Sequence, residues 1–260
     1  NDADRSPLIV QGARQIGKTA SIEHFAQENY KSFININFVS EPQYKSIIRD
    51  GYTADSITKN ISMINPNHKF IEGETLIFFD ELQEFPEVAT SLKFFKLDGR
   101  YDIICSGSML GINYRQIESN SVGHKIDYNM YSMDFEEFLW ACGINDEIID
   151  VLRNSYENIS SVPELIHKQI MERFRQYLII GGMPEVVNTF VSTKDINQTK
   201  QIQANIISSY RDDIAKYAGK EKHLAKKVFD SIPEQLCKKD KRFVLSDLEK
   251  GASQRKYGDA

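Results

Sequence analysis

An apolar run, a loop bracketed by glycines and a helical stretch follow one another within residues 7–30. Residues 7–10 read Pro-Leu-Ile-Val, which is typical of a buried strand, and residues 19–30 carry apolar side chains at helical spacing. Between them, residues 12–19 match the pattern G-x-x-x-x-G-K-[ST] in full. Strand, glycine loop and helix in this order predict a parallel α/β sheet with a phosphate-binding loop, because the helix N-terminus adds its positive dipole to the N–H groups of the loop.

The residue types of this loop indicate what each would do. Gly12 and Gly17 let the backbone turn inward, so that successive N–H groups face phosphate oxygens. Lys18 is predicted to reach the β- and γ-phosphates of a nucleoside triphosphate, and Thr19 to be a ligand of bound magnesium. An ordinary glycine-rich turn is the alternative. The residues predicted to bind the cofactor ATP in this loop are Gly12, Ala13, Arg14, Gln15, Ile16, Gly17, Lys18, Thr19 and Ala20.

A second motif, residues 76–81, consists of four apolar residues followed by two carboxylates. A continuous apolar run is typical of a strand buried on both faces of a parallel sheet. Asp80 is predicted to hold Mg²⁺ mostly through its water shell, and Glu81 to orient and polarise the water that attacks the γ-phosphate. The adjacent acid pair also predicts that another strand lies between the first strand and this one, as in AAA+ and related ATPases.

Three further apolar segments complete the predicted sheet, at residues 33–37, at 101–105 and, more weakly, at 126–131. The segment at 101–105 leads into a Ser-Gly-Ser sequence. In this class of ATPase a polar side chain at that place senses the γ-phosphate or helps to place the water. Ser108 is the predicted catalytic residue here and Ser106 the second candidate. A turn with no nucleotide contact is the alternative.

The pattern of apolar residues becomes helical throughout after about residue 134. Residues 134–137 and 161–164 both fit capping boxes, which open helices. The boundary between an α/β domain and a helical domain is therefore predicted near residues 133–143.

The charge of the chain is unevenly distributed. Residues 216–256 hold 12 Lys or Arg against 6 Asp or Glu, a balance of +6, whereas the whole chain has a net charge of −5. A basic segment of this kind could attract a polyanion such as DNA. A solvated, lysine-rich surface explains the same composition.

The cysteines and the hydropathy indicate a cellular compartment. Cys105, Cys142 and Cys237 are odd in number and far apart, which is typical of a reducing cytosol. No apolar run approaches the roughly 18 residues that span a bilayer, and no signal peptide opens the chain. The sequence therefore predicts a cytoplasmic protein that does not bind a membrane. Its five histidines show no ligand spacing, so no structural metal site is expected.

Five motifs in this order together resemble the predicted AAA-type ATPases of bacteria and archaea, which carry an uncharacterised C-terminal domain. The motifs are residues 12–19, 80–83, 107–108, 134–139 and 177–185. The resemblance covers essentially the whole chain. These ATPases are similar to the signal-transduction ATPases with numerous domains, whose helical lid carries a Gly-x-Pro motif against the nucleotide. Residues 182–184 match that motif, so the resemblance implies that Pro184 packs on the adenine; taken alone, they are only a helix-ending loop.

The resemblance also implies the domain organisation. It implies an AAA+-like P-loop core at residues 1–142, a helical lid at 143–219 and the start of a winged-helix domain at 220–260. In the last segment, residues 222–236 are a plausible first helix, and residues 246–249 fit a capping box for a second one. Because the chain stops where a recognition helix is expected, we expect it to be a fragment.

One departure from the family concerns an arginine. Many relatives have Gly-Arg where this chain has Gly-His at residues 123–124. If that arginine is a finger in relatives, its role is vacant here. Arg100 and Arg115 are nearby candidates, though each is more typical of a surface arginine. Arg14, within the loop, is a candidate for contact with a phosphate or a neighbouring subunit.

These features together predict Mg²⁺-dependent ATP binding and hydrolysis by an AAA+-like ATPase. The enzyme would act as a nucleotide-driven switch or small motor, on or near nucleic acid. A P-loop kinase is one alternative, but such kinases usually lack the Asp-Glu pair and add a cluster of lid arginines. The other alternative is a non-catalytic, ATP-binding interaction module, in which nucleotide only holds the lid closed. The sequence does not identify a protein partner.

Overall fold

A computed structural model of the chain describes residues 5–108 and 123–258. The chain divides into two compact units, Asn1–Lys194 and Asp195–Ala260, here called the N-terminal and C-terminal units. The N-terminal unit contains a five-stranded sheet of order β2-β3-β4-β1-β5. Its strands are β1 (Leu8–Gln11), β2 (Ser32–Asn37), β3 (Thr75–Asp80), β4 (Asp102–Gly107) and β5 (Ile126–Asn129).

The strand order confirms the prediction made from the acid pair. All neighbouring strands are parallel, and β4 lies between β1 and β3. The register places Asn37 opposite Asp80 and Gln11 opposite Gly107. Because parallel strands end at the same edge of a sheet, the loop after β1 and the polar ends of β2, β3 and β4 meet there.

Both faces of the sheet are covered, which explains the continuous apolar run of β3, all of whose residues are buried. Successive side chains point to opposite faces. Leu76 and Phe78 pack in one cluster with Ile22 of the helix after β1, whereas Ile77 and Phe79 belong to the cluster on the other face. The helices of this α/β part are α1 (Lys18–Asn29), α2 (Ala54–Ile64) and α3 (Ser91–Asp98).

Four helices follow β5 within the N-terminal unit. They are α4 (Phe135–Ala141), α5 (Asp146–Glu157), α6 (Glu164–Ile180) and α7 (Pro184–Thr193). The predicted capping box at 134–137 is confirmed, because the side chains of Asp134 and Glu137 each bond the backbone N–H of the other. The box predicted at 161–164 is wrong. Helix α6 begins only after Pro163, since a proline disfavours helical geometry at the residue before it.

The C-terminal unit contains α8 (Ile196–Tyr217), α9 (Lys222–Cys237) and α10 (Gln254–Tyr257). The helix predicted at 222–236 is present as α9. The capped helix predicted at 246–249 is wrong, because that region forms only a 3₁₀ turn at Leu245–Asp247. The carboxylate that the capping box requires has other partners, because Glu249 accepts hydrogen bonds from Lys227 and Lys256. The described part of this unit holds helices and turns only, and the winged-helix domain stays a prediction.

The length and composition of the helices also show whether any of them could cross a membrane. Over residues 5–108 and 123–258, none of them combines the length and the apolar character that a crossing requires.

Candidate nucleotide-binding site

The loop between β1 and α1 has a backbone that requires glycine at two places. Gly12 has φ of 156° and Gly17 a φ of 93°. A Cβ atom on Gly12 would lie 2.3 Å from the carbonyl oxygen of Met130 and 2.6 Å from Cδ1 of Ile16. Ile16 itself is buried and anchors the loop. The two motif glycines therefore permit a tightly curled loop that ends directly at the start of α1.

Lys18, the first residue of α1, is held inside this loop. Its ammonium Nζ donates hydrogen bonds to the carbonyl oxygens of Gly12 at 3.0 Å and Ala13 at 2.7 Å. Burial lowers the pKa of Lys18, although the charges of Glu81 and Asp80 act in the opposite direction. The ammonium group is thus a buried cation held by neutral carbonyls, and phosphate oxygens are acceptors that could replace them.

Asp80 accepts hydrogen bonds from four surrounding groups. Thr19 Oγ1 donates at 3.3 Å and Asn37 Nδ2 at 3.1 Å to its Oδ2 atom. The Ser106 hydroxyl and the backbone N–H of Glu81 donate to Oδ1. Asp80 is only 5% exposed, so its carboxylate has a fixed orientation. A hydroxyl and a carboxylate oxygen this close together are hard ligands, and they fit a magnesium ion that takes its other ligands from phosphate and water.

Glu81 differs from Asp80 in both its backbone and its partner. Its φ of 56° and ψ of 49° are left-handed values, which are uncommon for a residue other than glycine. It precedes a 3₁₀ turn at Leu82–Glu84, and the Gln83 amide Nε2 donates a hydrogen bond to Glu81 Oε2. The second carboxylate of the motif is therefore fixed by its own turn.

A pocket of about 390 Å³ brings the predicted residues together. It is lined by Arg14, Gln15, Gly17, Lys18, Thr19, Ala20, Asp80, Glu81, Ser106, Ser108, Pro184 and Glu185. Gly12 and Ala13 contribute through their carbonyl groups, which hold Lys18. The sequence-predicted residues of the loop, the acid pair, the end of β4 and the start of α7 thus lie around one space.

A larger cavity of about 740 Å³ shares Lys18 with this pocket. The α1 residues Ile22 and Phe25, the β1 residue Val10 and Met130 after β5 give it a mainly apolar wall. Pro184 does not line it. Instead Pro184 lies on the phosphate-loop side, where its Cγ atom is 3.7 Å from the place that a Cβ atom on Gly17 would take. The contact between Pro184 and adenine stays a prediction.

The segment before Pro184 is joined closely to the segment after β5. The backbone N–H of Met133 donates to the carbonyl of Gly182 at 2.8 Å, and the Tyr177 hydroxyl donates to the Met133 carbonyl at 2.9 Å. A Cβ atom on Gly182 would lie 1.9 Å from the Met133 oxygen, so glycine alone fits. This contact fixes the start of α7 beside the pocket.

Sequence reasoning missed Asn37, Gln83 and Glu185 as residues of the site. Asn37 is the last residue of an alternating strand, and its position at a sheet edge was a usable signal. Gln83 and Glu185 are the last residues of two motifs that carry the family resemblance, but neither was predicted from sequence to have a role at the site. Ser106 bonds Asp80 and Ser108 lines the pocket, so both serine candidates are at the site.

The arginine candidates lie in different places. Arg14 lines the pocket. Arg100 is paired with Asp98 at 2.6 Å and with Asp55 at 2.5 Å, and it does not line the pocket. Arg115 lies outside the described residues.

A parallel α/β sheet with a phosphate-binding loop and an acid pair at its carboxyl edge defines a P-loop protein with an AAA-like strand order. The chain belongs to the AAA domain family, whose model matches residues 4–139. Residues 171–260 match a domain of unknown function, DUF8612. Together these matches confirm the resemblance to AAA-type ATPases with an uncharacterised C-terminal domain.

Two solved structures to which the chain is similar share little sequence with it. One is a structure of Caenorhabditis elegans PCH-2, with 10% identity and a TM-score of 0.39, covering 76% of this chain and 62% of that one. Another is a structure of Drosophila ORC bound to DNA, with 12% identity and a TM-score of 0.36, covering 90% and 59%. The chain thus spans about three fifths of their length, and at these scores they carry no argument about function. No curated protein matches the chain.

Proposed function

We propose that this protein binds ATP with magnesium and hydrolyses it, and that the nucleotide state acts as a switch in a cytoplasmic protein. Membership of the AAA domain family implies ATP binding and hydrolysis in general terms. The observation that carries the proposal for this chain is the convergence of Lys18, Thr19, Asp80 and Glu81 around one pocket. One buried cation, two oxygen ligands and one oriented carboxylate are the groups that phosphoryl transfer to water requires.

The proposed roles follow from the contacts of each group. Lys18 exchanges its carbonyl partners for the β- and γ-phosphate oxygens. Thr19 and Asp80 hold magnesium, which when bound neutralises charge on the phosphates. Glu81 accepts a proton from the attacking water, whose oxygen bonds the γ-phosphorus while the bond to the β-phosphate oxygen breaks. Ser108, which lines the same pocket, senses the γ-phosphate in this proposal.

Two places compete for the adenine ring. The apolar cavity beside α1 is large enough for a base and ribose and adjoins Lys18. Pro184, at the phosphate-loop side, is the place that the family resemblance implies. The substitutions Phe25→Ala and Pro184→Ala distinguish these two places. Only loss of the side chain that contacts the base should weaken the affinity for ATP and leave the affinity for inorganic tripolyphosphate unchanged.

The central test measures binding and turnover separately. Steady-state phosphate release with Mg²⁺ and ATP should be clear for the unaltered protein and reduced by orders of magnitude in Glu81→Gln, which should still bind ATP. If the unaltered protein binds ATP but releases phosphate no faster than Glu81→Gln, the non-catalytic interaction module is the better reading. Phosphate transfer to a second substrate, in place of water, would indicate a kinase.

We extend the proposal to nucleic acid as the partner of the C-terminal unit. Its support is the balance of +6 over residues 216–256, since basic segments bind phosphate backbones. Several of these cations contact acids or carbonyl groups of the same unit, and this counts against the extension. Titration with duplex DNA at two salt concentrations tests it, because phosphate contacts weaken steeply with salt.

A further inference from the structure

We infer that Gln83 is a positioning residue for hydrolysis, which holds the Glu81 carboxylate in the orientation that activates water. The inference rests on the proposed function, because it assumes that Glu81 is the base. It is carried by the contact of Gln83, by its burial and by the conformation of the turn between the two residues.

The turn brings the amide of Gln83 back onto the preceding carboxylate. The left-handed backbone of Glu81 reverses the chain at the end of β3, and the Glu84 N–H donates to the Glu81 carbonyl at 2.9 Å. Gln83 Nε2 then donates to Glu81 Oε2. One carboxylate oxygen is therefore fixed by an amide, and the other is left for a water molecule.

The two acids of the motif have separate amide partners. Asn37, from the neighbouring strand, donates to Asp80, whereas Gln83 donates to Glu81. Asp80 has further donors in Thr19 and Ser106, as a metal-holding carboxylate requires. The Glu81 carboxylate accepts its side-chain hydrogen bond from Gln83. Loss of the Gln83 amide should therefore free the Glu81 carboxylate to move but leave Thr19 and Asp80 in place.

Folding alone does not account for an amide at position 83. Its neighbours Leu82 and Phe85 are apolar and buried, at 0% and 8% exposure, and Gln83 itself is 9% exposed. The Oε1 atom of Gln83 is buried without a hydrogen-bond partner among the described residues. A buried amide with one unsatisfied end is unfavourable compared with an apolar side chain of the same shape. Gln83 thus costs stability at a place where it serves the catalytic carboxylate.

Gln83→Met is the discriminating substitution, because methionine keeps the length and packing of glutamine but cannot donate a hydrogen bond. We expect kcat for phosphate release to fall about 10- to 100-fold, as small misplacements of catalytic groups do. ATP affinity, measured by calorimetry, should change less than about 2-fold, and the melting temperature should stay the same or rise. Glu84→Gln, in the same turn, is the matched control and should leave kcat unchanged.

The same substitution in a Glu81→Gln background tests whether Gln83 acts through Glu81. Gln83→Met should then cause no further loss of kcat, because the group that it positions is already disabled. An unchanged kcat in the single variant, or an equal loss in both backgrounds, would overturn the inference and leave the proposed hydrolysis standing. A protein that binds ATP but shows no turnover above the Glu81→Gln level overturns both.

Discussion

The two units use their charged side chains in opposite ways. In the N-terminal unit Lys18 lies far from the adjacent pair Asp80 and Glu81 in the sequence, yet all three line one pocket. In the C-terminal unit several cations contact acidic or carbonyl groups of the same unit. The recorded ion pairs there are Arg211–Asp230, Lys227–Glu249, Lys238–Asp247, Arg242–Asp240 and Lys256–Glu249.

The difference shows why counting charges is a weak guide to a binding surface. The pocket has no excess of cations, but hydrogen bonds hold the side chains of Lys18, Asp80 and Glu81 in defined orientations. The C-terminal segment has an excess of +6, but Lys238 and Arg242 are paired and Lys241 donates to the Leu236 carbonyl. Exposed pairs of this kind are weak and can be exchanged for phosphate, so they reduce a binding surface without abolishing it.

The largest expected effect is on the pocket. Lys18→Ala should weaken ATP binding by about 100-fold or more, because it removes the cation dedicated to the β- and γ-phosphates. Fluorescent-nucleotide titration measures this. Lys31→Ala removes an exposed lysine paired with Glu74 at 2.7 Å and should leave the affinity unchanged. Equal ATP affinity for Lys18→Ala and the parent would show that the nucleotide lies elsewhere.

A smaller effect is expected for the C-terminal unit with DNA. Changing Lys238, Lys239, Lys241 and Arg242 together to Ala should lower the affinity for duplex DNA about 10-fold at low salt and flatten its salt dependence. The same number of changes at Lys31, Lys45, Lys93 and Lys96 in the N-terminal unit serves as the control. No binding by the parent at low salt, or no response to the first set, would favour a protein-interaction module.

The ion pairs themselves predict a change of opposite sign. Asp240→Asn with Asp247→Asn removes the partners of Arg242 and Lys238, which are then available to phosphate. DNA affinity at low salt should therefore rise a few-fold, which corresponds to the small free energy of an exposed ion pair. Fluorescence anisotropy with a labelled duplex measures it. A fall in affinity would mean that the pairs hold the basic surface in its binding shape.

The smallest effect concerns stability in acid. Hydrogen bonds from Lys227 and Lys256 lower the pKa of Glu249 from its ordinary value of 4.5 to about 2. Stability from this carboxylate is complete above pH 4.5 and is lost as the pH falls towards 2. Urea unfolding of Glu249→Gln should therefore show a shallower loss of stability over that range. Curves of identical slope would mean that the pairs contribute nothing in solution.

The elements and the main site residues could be predicted from sequence because their signals are local. Strand β3 and the position of Asp80 and Glu81 at its end follow from a continuous apolar run with two acids after it. The strand order also followed, since the acid pair is typical of one topology. The residues that orient these acids could not be predicted. Asn37 reaches Asp80 only through the register of β2 on β3, and Gln83 reaches Glu81 only through a left-handed turn.

The two wrong predictions concern the same sequence pattern. A Ser-x-x-Glu pattern offers a capping box, but competing contacts decide whether it forms. At residues 161–164 a proline delays the helix, and at 246–249 the Glu249 carboxylate accepts hydrogen bonds from Lys227 and Lys256. The proline is part of the first pattern and could have been weighed from sequence, whereas the lysines that bond Glu249 are neighbours in space, which a four-residue pattern does not contain.

The close contacts after β5 join the phosphate loop tightly to the segment before α7. Gly12 contacts the backbone of Met130 after β5, and Gly182 contacts the backbone of Met133. Neither contact leaves room for a Cβ atom on the glycine. Residues 130–133 thus connect the contact of the phosphate loop with that of the segment before α7. A chain segment held this closely at both ends would act as a short lever between the two, so we expect a one-residue insertion within residues 130–133 to separate nucleotide binding from the position of α7.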